Sequence, residues 1–334
     1  MPRKINLKTD MNSVVHIGWG NSKLWPEFKQ FIGAHCDDIA VAATDVEALG
    51  RARQLLVAAM DQTHVRGATR QVALQELDES FARLISKALI DRYELAYVDL
   101  QILPHLWSTG KLKGVNYAVL VDRSPLDLLH RQLEFAAQRH NAVESLRFFR
   151  ANAALVHAED EALAMATQVV TPHAFVGTYL EKRFGKKVEK LQWLICEPTR
   201  PARSSPGFFL FADKGLPRKG AHDFLAASDA CSDLTYSRLS CGGEFDEFWR
   251  GSRVVEAGAL DDALDSAECV VLPAYVEHRP ALLIRAVELG IQVICTRECG
   301  LEKSARVRVV PAGDFGALVK EIQSVSMEMR NAVV

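Results

Sequence analysis

Residues 269–296 read CVVLPAYVEHRPALLIRAVELGIQVICT. Cys269 to Leu272 is a short, unbroken apolar run, the mark of a strand buried on both faces. Pro273 ends it, and the next residues form a loop that presents Glu277. Pro280 suits the first turn of a helix, because its missing N–H would have no partner there in any case. That helix stops at Gly290, and Ile291 to Thr296 is a second buried strand. Strand, loop, helix and strand in this order are the unit of an α/β fold. Glu277 falls just ahead of a helix N-terminus.

The same alternation extends in both directions. Downstream come a strand over Val307 to Val310 and a closing helix over about 314–331. Upstream, strands are expected at Gly207 to Ala212, Leu234 to Leu239 and Val254-Val255, with a helix over Lys219 to Ala230. Before these, Pro198-Thr199-Arg200-Pro201-Ala202-Arg203-Ser204-Ser205-Pro206 holds three prolines and two serines in nine residues. Such a stretch continues neither a helix nor a central strand, so it reads as an interdomain linker. The first half alternates too. Strands are expected at Ser13 to Ile17, Glu94 to Leu100, Asn116 to Val121, Ala154 to Val156 and Val169 to Pro172. Helices are expected over 45–62, 69–92 and 126–150. The domains are therefore 1–198, a linker at 199–206, 207–325, and a tail of the closing helix at 326–334. Two α/β domains joined in this way leave a cleft, the usual place for a small-molecule site.

Composition narrows the class. The chain has 334 residues, 49% apolar and 25% charged, with a net charge of −2. These are globular values, and no basic field advertises nucleic acid. No apolar run approaches the ~18 residues that span a bilayer, and the N-terminus lacks the apolar core of a secretory signal. Seven scattered cysteines without a Cys-x-x-Cys pair read as reduced thiols, several of them core residues. A cytoplasmic protein is expected.

Two further segments carry chemistry. Phe208 to Ala212 is an apolar strand followed by Asp213-Lys214-Gly215-Leu216-Pro217-Arg218-Lys219-Gly220 and then a helix. Cations beyond the carboxyl end of a parallel strand, beside a helix N-terminus, suit a diphosphate. Gly18-Trp19-Gly20 after the first strand has the form of a phosphate-cradling turn, but Lys23 stands where a dinucleotide fingerprint has its third glycine. A plain strand-to-helix turn explains it equally well, and an NAD-dependent enzyme would rest on this turn alone.

Taken together, these residues resemble the donor-binding domain of the family 4 glycosyltransferases. Pro273, Glu277, Pro280, Ala286, Gly290, Val293-Ile294 and Thr296 fall in register with that family's strand–loop–helix–strand pattern. Lys214 stands at its Arg, and Lys219-Gly220 at its Lys-Gly. Cys299-Gly300-Leu301 and Pro311-Ala312-Gly313-Asp314 are similar to its later turns. The similarity runs over about 205–325 and is faint before residue 120. It implies the GT-B fold, two Rossmann-like domains with parallel sheets facing across a cleft. It also implies sugar transfer from a nucleoside-diphosphate donor, with retention and without a metal or other cofactor. In that reading Lys214 and Lys219 hold the diphosphate, Glu277 the donor sugar, and Gly18 and Gly20 close over the phosphates.

The sequence departs from the family at three places. Arg285 replaces its second Glu, eight residues after Glu277, and a guanidinium cannot accept hydrogen bonds from a ribose. His278 replaces a glycine. Val121-Asp122 stands for a His-Asp pair, so Asp122 alone carries over as a catalytic candidate. Arg285 is either an additional donor-site cation or a surface residue paired with Glu288. The departures make a degenerate scaffold, a binding or assembly protein that no longer transfers sugar, the alternative. The acceptor is a glycan, a lipid-linked group or a protein. Lys182, Arg183, Lys186, Lys187 and Lys190 admit peripheral contact with the inner face of a membrane, although a solvated surface explains them better.

Overall fold

A computed structural model of the chain describes residues 14–18, 24–36, 55–56, 58–60, 67–88, 94–147, 150–195, 208–240 and 246–332. Gly20, the linker at 199–206 and most of the helix expected over 45–62 lie outside these residues. The chain divides into two compact units: residues 1–130, 148–172 and 176–192, and residues 131–147, 173–175 and 193–334. The sequence predicts one boundary near 198, whereas two earlier segments pack with the second unit. Specific contacts hold them there. His140 meets Asp223 and Tyr275, and Ala174 N–H donates to the Gly300 carbonyl at 3.2 Å.

The first unit contains a parallel sheet in the order β1 (Val14–Ile17), β2 (Leu95–Asp99), β3 (Tyr117–Leu120), β4 (Gln168–Thr171), β5 (Lys187–Lys190). Ala96, Val98, Ala118, Val119 and Val169 are fully buried in it. Two elements differ from expectation. Ala154 to Val156 begins a helix, Ala153–Met165, and is not a strand. Asn152 caps that helix by accepting from Leu155 N–H at 2.7 Å, and Ala158, Ala162 and Leu163 bury its inner face. Lys187–Lys190 is an edge strand with both end lysines exposed. Charged edges escape a reading that looks for apolar runs, and they protect a sheet from pairing with other chains. Arg183, beside this strand in sequence, is neutralised by Asp127 and Asp160. No described helix is long and apolar enough to cross a membrane.

The second unit contains a six-stranded parallel sheet. Its order is β11 (Val307–Val310), β10 (Gln292–Thr296), β9 (Cys269–Leu272), β6 (Phe208–Phe211), β7 (Thr235–Arg238), β8 (Val254–Glu256). Phe209, Leu210, Phe211, Val270 and Val271 are fully buried, and Phe211 stacks on Phe224 at 4.9 Å. From β6 the chain builds outward to β7 and β8, then crosses back to β9 and builds the other way. Such a reversal leaves a crevice outside the carboxyl ends of its two central strands, where α/β sheets hold ligands. The loops after β6 and β9 carry Lys214, Lys219, Glu277 and His278.

Candidate functional site

The β6 loop is shaped by its own side chain. Asp213 Oδ1 accepts from Gly215 N–H at 3.0 Å and from Leu216 N–H at 2.8 Å, a turn that sets the following residues at the strand end. A short 3-10 turn, Pro217–Lys219, leads to Gly220 at φ +80°, and the helix Ala221–Ala230 follows. A Cβ on Gly220 would collide with the Pro273 carbonyl, so glycine alone lets the two loops approach. Tyr275 N–H and Val276 N–H both donate to the Arg218 carbonyl, at 2.9 and 3.1 Å.

This stitching brings together two side chains that are 58 residues apart in sequence. Lys219 Nζ donates to Glu277 Oε2 at 2.7 Å, with only 11% and 13% of the two side chains exposed. Glu277 Oε1 accepts from Arg279 N–H at 3.1 Å. From below, the buried His173 ring donates through Nε2 to the Glu277 carbonyl at 3.0 Å, and its ring occupies the space a Cβ on Gly300 would need. Burial lowers the His173 pKa and favours the neutral ring. His173 is thus a satisfied loop histidine. Thr296 closes the same region, its hydroxyl donating to the Ala274 carbonyl at 2.5 Å.

The other candidates are more open. Lys214 is exposed, and its carbonyl accepts from Trp249 Nε1 at 3.0 Å. His278 is half-buried in the β9 loop. Arg285 lies on the helix Ala281–Glu288 with 52% of its side chain exposed and Nη1 at 3.5 Å from Glu288 Oε2. That is the surface pair which i, i+3 spacing allows.

In the first unit, a second group of side chains meets at the carboxyl ends of β1, β2 and β3. His16, fully buried, places Nε2 at 2.8 Å from Asp99 Oδ1. A Cβ on Gly18 would fall on the Asp99 carboxylate, so this glycine is fixed by packing against a side chain. Asp122 is half-buried, and its Oδ1 has no hydrogen-bond partner. Burial and the Asp99 charge push its pKa up to about 7, against the opposing pull of Arg123. Arg123 is itself tied to Glu159. Sequence reasoning selects Asp122 and Gly18 here but misses His16 and Asp99. Their only signal is polarity within runs that otherwise read as buried strands.

No family model matches the sequence, and no curated protein matches it. Solved structures do. A sucrose-phosphate synthase from Thermosynechococcus elongatus is 17% identical, matching 75% of this chain and 69% of its own with a TM-score of 0.54. Anabaena Alr3699/HepE, solved with UDP, is 11% identical over 95% of this chain and 90% of its own, with a TM-score of 0.50. The chain spans about half of some longer matches, such as 51% of TarM at a TM-score of 0.47. At these identities the likeness is one of fold. It agrees with the strand order and crossover of the second unit, and the chain has the GT-B fold of the glycosyltransferases.

Proposed function

We propose that this protein transfers a sugar from a nucleoside-diphosphate donor, and that the donor binds at the β6 and β9 loops of the second unit. The observation that carries this reading is the Lys219–Glu277 pair outside the two central strands of the sheet. An ammonium held there meets the diphosphate oxygens, where charge grows as the glycosidic bond breaks. Glu277, released from Lys219 by the incoming phosphate, accepts hydrogen bonds from the donor-sugar hydroxyls. Lys214, exposed on the same loop, adds a second cation for the phosphates. His278 borders the sugar. Gly18 and Gly20 keep the role that the family resemblance implies, and Asp122 is the catalytic candidate that the first unit contributes. The resemblance also favours a retaining transfer in which no metal ion takes part. The fold's likeness to glycosyltransferases, among them a protein solved with UDP, supports a nucleotide sugar as the donor. A thermal-shift panel of UDP, GDP, ADP, dTDP and CMP sugars tests this, because a bound ligand raises the melting temperature by mass action. A rise with one nucleoside-diphosphate sugar is expected; no rise with any of them contradicts the reading.

Arg285 supports a second reading, a degenerate scaffold that no longer transfers sugar and serves as a binding or assembly protein. Its side chain is turned to Glu288 and solvent, and no carboxylate stands at that position to accept a ribose hydroxyl. Arg285→Glu separates the two. Tighter nucleotide binding in this variant supports the scaffold. Weaker binding, from a carboxylate set against the donor's charge, supports Arg285 as a working cation of the site.

A further inference from the structure

The two loops that hold Lys219 and Glu277 share a third point of attachment, contributed by a distant segment of the chain. Residues 131–147 belong to the second unit. Within them, His140 Nε2 lies 3.2 Å from Asp223 Oδ2 and 3.1 Å from the Tyr275 hydroxyl. Asp223 stands in the first turn of the helix that follows Gly220, four residues after Lys219. Tyr275 stands two residues before Glu277 and is 1% exposed, while its main-chain N–H is bonded to the Arg218 carbonyl. One imidazole therefore meets a side chain of the helix that follows the β6 loop and a side chain of the β9 loop.

The neighbours of this contact fix its chemistry. The Tyr275 hydroxyl is bonded to Asp223 and to Arg139, and its pKa is raised, first by burial and then by the Asp223 charge, so the phenol keeps its proton. Asp223 accepts, while His140 and Tyr275 donate. His222 stacks on His140 at 5.0 Å between ring centroids, and Phe135 packs on the Tyr275 ring at 6.0 Å. The Arg139 side chain fills the space a Cβ on Gly313 would take. The cluster takes no part in the donor contacts described above, yet it joins the segments that carry them.

We propose that His140 is a positioning residue for the donor site. Through Asp223 and Tyr275 it fixes the β6 loop against the β9 loop and so sets Lys219 and Glu277 at the spacing that receives a nucleoside diphosphate. This rests on the donor-site reading above. In the free protein, removing the imidazole loosens the Tyr275 and Val276 amides from the Arg218 carbonyl. In the liganded protein it weakens the hold on phosphate without removing any group that touches it.

The test pairs amide hydrogen exchange with calorimetry of UDP, GDP and ADP on the full chain, for the wild type, His140→Ala and His140→Gln. In His140→Ala, exchange at Tyr275 and Val276 should quicken while the β6 and β9 strand amides stay protected. The diphosphate that binds the wild type should bind about tenfold more weakly, the loss expected for one hydrogen bond to a charged group. His140→Gln, which can still donate to Asp223, should recover part of both effects. Unchanged exchange and affinity in His140→Ala overturn the proposal. So does a loss of protection spread evenly over the second unit and not relieved by glutamine, the mark of a residue that only holds the fold. If the wild type binds no diphosphate, the donor-site reading falls, and with it the donor-positioning role. If the wild type and His140→Ala bind one equally, only the role of His140 falls.

Discussion

A lysine and a glutamate from two neighbouring loops, held 2.7 Å apart with both side chains mostly buried, have exchanged much of their hydration for one contact. Such a pair is sensitive to the loss of either member. If Lys219 meets phosphate as proposed, calorimetry of Lys219→Ala should show nucleoside-diphosphate affinity falling by about 1.5–3 kcal/mol, the worth of a charged hydrogen bond. The free nucleoside should lose far less; equal losses would place Lys219 away from the phosphates. On the same proposal Glu277→Ala acts differently, because it would free Lys219 for phosphate while removing the acceptor for sugar hydroxyls. Diphosphate affinity should hold or rise while transfer falls. Asp122 can be tested through stability. Its carboxyl has a folded pKa of about 7 against an ordinary 3.8. Between these values the folded chain keeps a proton that the unfolded chain has released. The resulting stability is therefore present at low pH and lost as pH rises through 7. Asp122→Asn cannot ionise, so at pH 8 it should be more stable than the wild type by about 2–4 kcal/mol in denaturant melts. The gap should close towards pH 4. A stabilised variant that also transfers less sugar would mark Asp122 as a residue kept at a cost in stability.

The elements that matter most are the two loops and the glycine between them. Gly220 has a left-handed backbone and a carbonyl where its Cβ would be, so Gly220→Ala adds strain to a collision. Chemical denaturation should show a loss of at least about 2 kcal/mol, with diphosphate affinity falling as the loops part. The expected pattern from Cys269 to Thr296 matches the structure because a strand buried on both faces and a helix bounded by Pro280 and Gly290 are encoded locally. The segment at Ala154 reads as a strand because three apolar residues in a row fit either element. The Asn152 cap and the spacing of Ala158 and Ala162 decide for the helix. The edge strand Lys187–Lys190 leaves no such mark, because its stability comes from pairing with β4, which no local pattern announces. In the candidate site, Lys219 and Glu277 were legible singly, from strand-end and helix-start positions. Their contact, and those of His16 with Asp99 and His140 with Tyr275, join residues 58, 83 and 135 apart and exist only once the sheets have formed.

At the scale of the molecule, each unit brings its polar residues to the carboxyl ends of its own parallel strands. The second does so where its strand order reverses, and the first does so at three neighbouring strands, β1 to β3. The division of the chain is less simple than a cut at the Pro198–Pro206 stretch, since residues 131–147 serve the second unit. A truncation made at residue 198 would therefore leave the β6 and β9 loops without His140, and on the proposed reading an isolated 207–334 fragment should bind nucleotide less well than the full chain. On the proposed reading, Lys219 and Glu277 hold a nucleotide sugar whose glycosidic bond this protein breaks. The direct measurement is release of nucleoside diphosphate from a panel of sugar nucleotides, by the wild type and by Glu277→Ala. The account predicts release from one donor by the wild type, to water when no acceptor is supplied, and its loss in Glu277→Ala with diphosphate binding retained. Release from no donor, or equal release by both proteins, would contradict it.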